Sequence, residues 1–117
     1  MKEEIERLHF ENIIWVIFAI LAFLNILGDN NSINYLNTNN KKFKTNSDNI
    51  FKFTLICTLL IYLYFFNRNI KSYQKVTQNK KELYKVKVYG SLFLIIGILL
   101  LIYFQNKETN FLDPPAI

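Results

Sequence analysis

The stretch "VYGSLFLIIGILLLIYF" runs from Val88 to Phe104, seventeen residues without a charge. As a helix it covers about 25 Å, close to the roughly 30 Å hydrocarbon core of a bilayer. Two further runs resemble it. Ile13 to Leu27 is interrupted only by Asn25, and Phe53 to Phe66 is extended by Ile50 and Phe51 beyond Lys52. Each run is hydrophobic all round, without a polar face. Three such runs in 117 residues exceed the apolar surface that a soluble domain of this size can cover. The reading is therefore an all-α integral membrane three-helix bundle forming a single membrane domain. Its spans lie at about 12–28, 50–66 and 88–104. The alternative is a soluble helical bundle with buried helices.

Local chemistry gives the expected limits of these helices. The leader "MKEEIERLHFEN" has four glutamates against one Lys and one Arg, and no small-residue cleavage site follows the first run. A cleaved signal peptide needs both a basic start and such a site, so the first run is read as a retained membrane helix. Gly28 followed by Asp29 and Asn30 predicts a helix stop. The asparagine-rich segment 29–47 predicts an outer loop, with at most one short turn around Ile33 to Leu36. Asn46 or Ser47 is expected to cap the second helix, with Asp48 in its first turn. Asn79 and Glu82 have the spacing of a capping box, which predicts a turn near Thr77 to Asn79. Helix 2 is then expected to run to about Val76 and helix 3 to start near Lys80. Ile70, Tyr73 and Val76 would face Leu83 and Tyr84. Pro114 and Pro115 bar a helix past Asp113 in the outer tail 105–117.

The segment 67–87, "NRNIKSYQKVTQNKKELYKVK", joins the second and third runs. It carries seven basic residues, Arg68, Lys71, Lys75, Lys80, Lys81, Lys85 and Lys87, against one acid, Glu82. The whole chain has a formal charge of +5, so the basicity is concentrated in this segment. With three spans, this segment and the N-terminus share a membrane face. That face holds nine Lys and Arg, and the opposite face holds five: Lys41, Lys42, Lys44, Lys52 and Lys107. Orientation follows the Lys and Arg count, so the N-terminus and a basic helical hairpin are expected in the cytoplasm and the C-terminus outside. Arg68, Lys71, Lys85 and Lys87 would meet anionic headgroups. Lys75, Lys80 and Lys81 lie beyond the screening length of about 8–10 Å and would meet an acidic protein partner. Nucleic acid is not an expected partner, because the usual binding motifs are missing.

Small and polar residues mark the faces on which helices approach each other in lipid. The expected packing residues are Ala19, Ala22 and Asn25 in helix 1, Thr54, Cys57 and Thr58 in helix 2, and Gly90 and Gly97 in helix 3. Asn25 and Thr54 fall at one depth, and an amide in lipid requires a partner, so Thr54 is the expected one. A polar path through the bilayer is the alternative. It is opposed by the lack of ionisable residues in the central membrane region.

Few residues suggest chemistry. Glu6 and His9 have the E-x-x-H spacing of di-iron bundles, but those sites need two such pairs and His9 is the sole histidine. Cys57, the single cysteine, lies in an apolar run without a nearby activating group. The three glycines form no phosphate-cradling loop. The expectation is a non-enzymatic protein with no cofactor and no metal.

Fifteen asparagines, sixteen isoleucines and many lysines point to AT-rich codons and a low-GC bacterium. The stretches "ENIIWVIFAILAFLNILGDN", "YFFNRN" and "LIYFQ" resemble the small, uncharacterised three-span membrane proteins of low-GC Firmicutes. That resemblance covers most of the chain and implies no activity. The expected function is an accessory, interaction or immunity-type subunit of the cytoplasmic membrane. Its partners would be lipids, another membrane or cytoplasmic protein, or further copies of itself. The alternative is a component of a small oligomeric pore or transporter.

Overall fold

The computed structural model describes residues 1–108. It is all-helical: α1 spans Lys2–Thr38, α2 spans Lys41–Lys75, a 3₁₀ turn covers Gln78–Lys80 and α3 spans Lys81–Lys107. No strand occurs among the described residues. All three helices are long and apolar enough to cross a membrane. The expectation that no helix continues past Asp113 lies outside the described residues.

The largest departure from expectation is at segment 29–47. Gly28 does not end α1, which continues ten residues further to Thr38. The stop is at Asn39, which takes the left-handed conformation (φ 56°) and donates its N–H to the Tyr35 carbonyl at 2.7 Å. Asparagine tolerates this geometry better than most residues, which is why it serves as a C-cap. The connection is then very short. The Asn40 side-chain oxygen accepts the Lys42 N–H at 3.1 Å and so opens α2. Asn46 and Ser47 accordingly lie inside α2 rather than capping it. The asparagines each cost helix propensity of at most about 0.7 kcal/mol. Contacts between α1 and α2 in this region outweigh that cost.

Those contacts belong to one of two compact units, which meet inside α2 after Thr54. In the first unit α1 and the start of α2 run antiparallel. Ser32 and Ser47 share a hydrogen bond of 2.7 Å between their hydroxyls. One turn away, Gly28 lies against the ring of Phe51. A further turn along, Thr54 meets Asn25. Each step is three or four residues on both helices, the 3.5-residue period of coiled-coil packing. The same spacing continues along α1 through buried Leu21, Ile14 and Glu11.

In the second unit the end of α2 packs on α3. Here Asn69 donates to Ser91, and Ser91, Ile95, Ile98 and Gln105 form a buried seam on α3, again in steps that sum to 3.5-residue periods. The α2–α3 connection is built by side chains. Thr77 donates to the Asn79 side-chain oxygen at 2.6 Å, so Asn79 does not cap α3. The residue before α3 is Lys80, without a side-chain cap, and the capping box with Glu82 does not form. Instead, Lys81 reaches back to the Tyr73 carbonyl at 3.0 Å and lies over the Tyr73 ring at 4.6 Å. A cation at a helix C-terminus offsets the unpaired carbonyls there. Leu83, expected to face Ile70, Tyr73 and Val76, is 71 % exposed, whereas Tyr84 is half-buried.

The distribution of side chains favours the membrane reading. Trp15, Ile20, Phe23, Phe53, Leu60, Phe93 and Leu100 are exposed, while Thr54, Thr58, Asn69 and Ser91 are buried. In water this order would leave a large apolar surface uncovered. In lipid it is favourable, because hydrocarbon solvates the outside and polar groups find partners inside.

Candidate functional site: polar clasps and a basic turn

Two polar clasps hold the helix pairs. In the first unit, the Thr54 hydroxyl shares its proton between the Asn25 side-chain oxygen (2.9 Å) and the Phe51 carbonyl (3.0 Å). This is the pairing that depth alone suggested. Thr54 is almost fully buried, so the bond forms away from water, where an unpaired amide is costly. The Ser32–Ser47 pair lies two turns away in the same seam.

In the second unit Asn69 is the centre. Its amide N–H donates to the Ser91 hydroxyl, and Ser91 donates in turn to the Lys87 carbonyl at 3.0 Å. The Asn69 oxygen accepts from Arg68 Nε at 3.3 Å and Nη2 at 3.0 Å. The Arg68 guanidinium also lies over the Phe65 ring, 4.8 Å from its centre. Arg68 is therefore an organised part of the helix edge as well as a candidate headgroup contact. Sequence reasoning missed Asn69. The available signal was an amide at the boundary of an apolar run, facing a serine in the next run.

Other expected packing residues lie elsewhere. Ala19 and Ala22 are exposed, because the α1 seam follows Ile14, Leu21 and Gly28 instead. At Gly90 and Gly97 an added Cβ would meet nothing within 4 Å. Thr58 is buried as expected, and Cys57 is half-buried. The close-approach glycine is Gly28. A Cβ there would meet Phe51 Cε1 first, Cζ at 2.8 Å and Cδ1 at 3.0 Å.

The basic residues differ among themselves. Lys71, Lys75, Lys80 and Lys87 are exposed. Lys81 is committed to Tyr73, so it is a turn residue more than a partner contact. Lys85 leans 3.4 Å from Glu82, and that hydrogen bond holds its ammonium above the ordinary lysine range. Near the start of α1, Arg7 lies 3.6 Å from the buried carboxylate of Glu11. Glu6 and His9 are exposed, and no three metal-ligating side chains gather among the described residues.

Asp48 stands out in the first unit. Its Oδ1 is shielded and has no hydrogen-bond partner. Burial pushes its carboxyl above the ordinary range, while Lys44 and Lys52 pull it down. A carboxyl raised in the folded state binds its proton more tightly when folded. Its contribution is therefore full below the unfolded value near 4 and is lost as pH rises through the folded value. Asp48→Asn is expected to flatten the acid-range pH dependence of thermal stability and raise the neutral-pH melting temperature slightly. A melting series in detergent across that range checks this, and an unchanged slope would contradict it.

No protein-family model, curated protein or solved structure matches this chain. The functional reading therefore rests on the residues and their geometry.

Proposed function

We propose that the chain is a non-enzymatic three-span protein of the cytoplasmic membrane, acting as an accessory, interaction or immunity-type subunit. Its N-terminus and the basic α2–α3 turn lie in the cytoplasm, and its C-terminus lies outside. The orientation follows from nine Lys and Arg on one face against five on the other. In this reading the turn is the tip of a helical hairpin. Lys71, Lys85 and Lys87 near its base meet anionic headgroups, while Lys75 and Lys80 at the tip face an acidic partner.

One observation carries the choice of an accessory subunit over a pore. The buried polar residues are broken up along each span; on α2, Phe51 separates Ser47 from Thr54, and Ile61 separates the adjacent Thr54 and Thr58 from Asn69. On α1, Ile14 and Leu21 separate Glu11 from Asn25, and on α3, Ile95 and Ile98 separate Ser91 from Gln105. Apolar layers of this kind interrupt a water or ion path. Asn25, Ser32, Ser47, Thr54, Asn69 and Ser91 are paired in clasps that hold helices together.

Two measurements test the proposal. In a Cys57→Ser background, Asn40→Cys should react with an impermeant maleimide on intact cells, and Gln78→Cys only after lysis. Reaction at Gln78→Cys alone would reverse the orientation. Purified protein in sealed vesicles should release no trapped ions or dye above the empty-vesicle rate. Sustained release would favour the pore instead.

A further inference from the structure

Two helix ends that share a membrane side under the three-span reading carry opposite charge and uncovered apolar residues. The start of α1 has Glu3, Glu4, Glu6 and Glu11 against Lys2 and Arg7. Ile5 and Leu8 there are each 51 % exposed. The start of α3 has Lys80, Lys81, Lys85 and Lys87 against Glu82, with Leu83 71 % and Val86 66 % exposed. Ile5, Leu8, Leu83 and Val86 all precede the apolar runs at Ile13 and Val88. At 1.5 Å per residue, Leu83 stands about 8 Å and Ile5 about 12 Å before the run that follows it. Hydrocarbon does not cover them there. Exposed apolar residues paired on one helix face outside the hydrocarbon are open to a protein contact.

We propose that these surfaces meet between two copies of the chain, α1 of one lying parallel to α3 of the next. The proposal rests on the three-span reading, which makes α1 and α3 run in the same direction. Both helices show exposed residues at the same 3.5-residue period. With Ile5 set beside Leu83, Leu8 falls beside Val86 and Ala19 beside Gly97 without any shift of register. Ala19 and Gly97 each lie near the middle of their apolar run, and Ala19 is exposed. A Cβ on Gly97 meets nothing within the chain, so this point is open to a neighbouring helix. The small residues only permit close approach; opposite charge at the uncovered ends selects the occupant. Two α3 helices facing each other would instead set lysines against lysines. A contact of unlike faces is heterologous, so it propagates from copy to copy and closes as a ring or extends as a row.

The test uses two differently tagged full-length copies, both Cys57→Ser, co-expressed in one membrane. One carries Leu8→Cys and the other Val86→Cys, and a short bismaleimide joins neighbours. Mixed-tag dimers should exceed either same-tag dimer by about tenfold, the ratio given by a preference of about 1.4 kcal/mol. Glu4→Lys on the first copy, the glutamate that flanks the Ile5–Leu8 face, should lower the mixed yield several-fold. Lys87→Glu on the second, which still leaves eight basic residues on that membrane face, should restore part of it. Gly97→Leu on the second copy should lower the yield while leaving the melting of the single chain in detergent unchanged. Dominant Val86→Cys same-tag dimers would replace the proposal with a symmetric α3 contact. No dimers, or no response to the charge exchange, would overturn it. Impermeant labelling of the same two cysteines separates the premises: labelling from opposite sides would mean that the three-span reading itself has failed.

Discussion

Gly28→Leu is expected to cause the largest loss of stability of any single substitution in the first unit. Even a Cβ at this position reaches the Phe51 ring below ordinary contact distance, with Cζ at 2.8 Å and Cδ1 at 3.0 Å. Phe51 is completely buried, so its ring has no open space to swing into. Two effects oppose each other in Gly28→Ala. Replacing glycine in a helix gains roughly 1 kcal/mol of propensity. Overpacking a tight contact costs roughly 1–3 kcal/mol. The overlap is with a rigid ring, so the second effect should prevail and Ala should be modestly destabilising. Leucine adds bulk without further propensity gain and should be much worse. Phe51→Leu combined with Gly28→Ala should recover part of the loss, because the two side chains share one space. Thermal melting in detergent checks all three variants. If Gly28→Ala were as stable as the wild type, Gly28 would not be the closest point between α1 and α2.

This glycine also shows what the sequence could reveal. The three apolar runs were legible because length and lack of charge are the requirements for crossing lipid, whatever the packing. The Asn25–Thr54 bond was legible for a related reason: an amide at that depth needs a partner, and few are within reach. The packing faces were harder. In a soluble helix the polar face turns outward and reveals the buried one. Here both faces are apolar, so Ala19, Ala22, Gly90 and Gly97 looked as suitable as the residues in the actual seam. The better signal was the series Asn25, Gly28 and Ser32, small or polar residues at steps of three and four. Composition hid it, because glycine followed by Asp29, Asn30 and Asn31 reads as a stop. Propensity is a weak local preference, and the contacts of Gly28 and Ser32 with α2 override it. The cap at Asn79 failed for another reason. Thr77 and Lys81 satisfy the turn in a way that depends on Tyr73, a residue eight positions before Lys81.

Lys71→Gln, Lys85→Gln and Lys87→Gln together should produce the largest effect on orientation. Arg68 is kept, because it supports the Asn69 oxygen and its loss would mix a structural defect with a topological one. Lys81 is kept because it closes the α2–α3 turn. The three substitutions reduce the basic residues on the proposed cytoplasmic face from nine to six, against five on the other face. Orientation follows that difference, so a mixed population is expected. The three lysines are also those nearest the proposed headgroup layer, where each contributes about 1 kcal/mol of attraction to anionic lipid. Lys75→Gln with Lys80→Gln, the control, removes charge farther out and should leave orientation intact. The measurement is impermeant labelling of Gln78→Cys on intact cells, in the Cys57→Ser background. The triple variant should gain a labelled fraction that the control lacks. Equal protection of Gln78→Cys in both would show that the lysines near the membrane do not set orientation. The bias would then have to reside in the α1 end, where Lys2 and Arg7 are the basic residues.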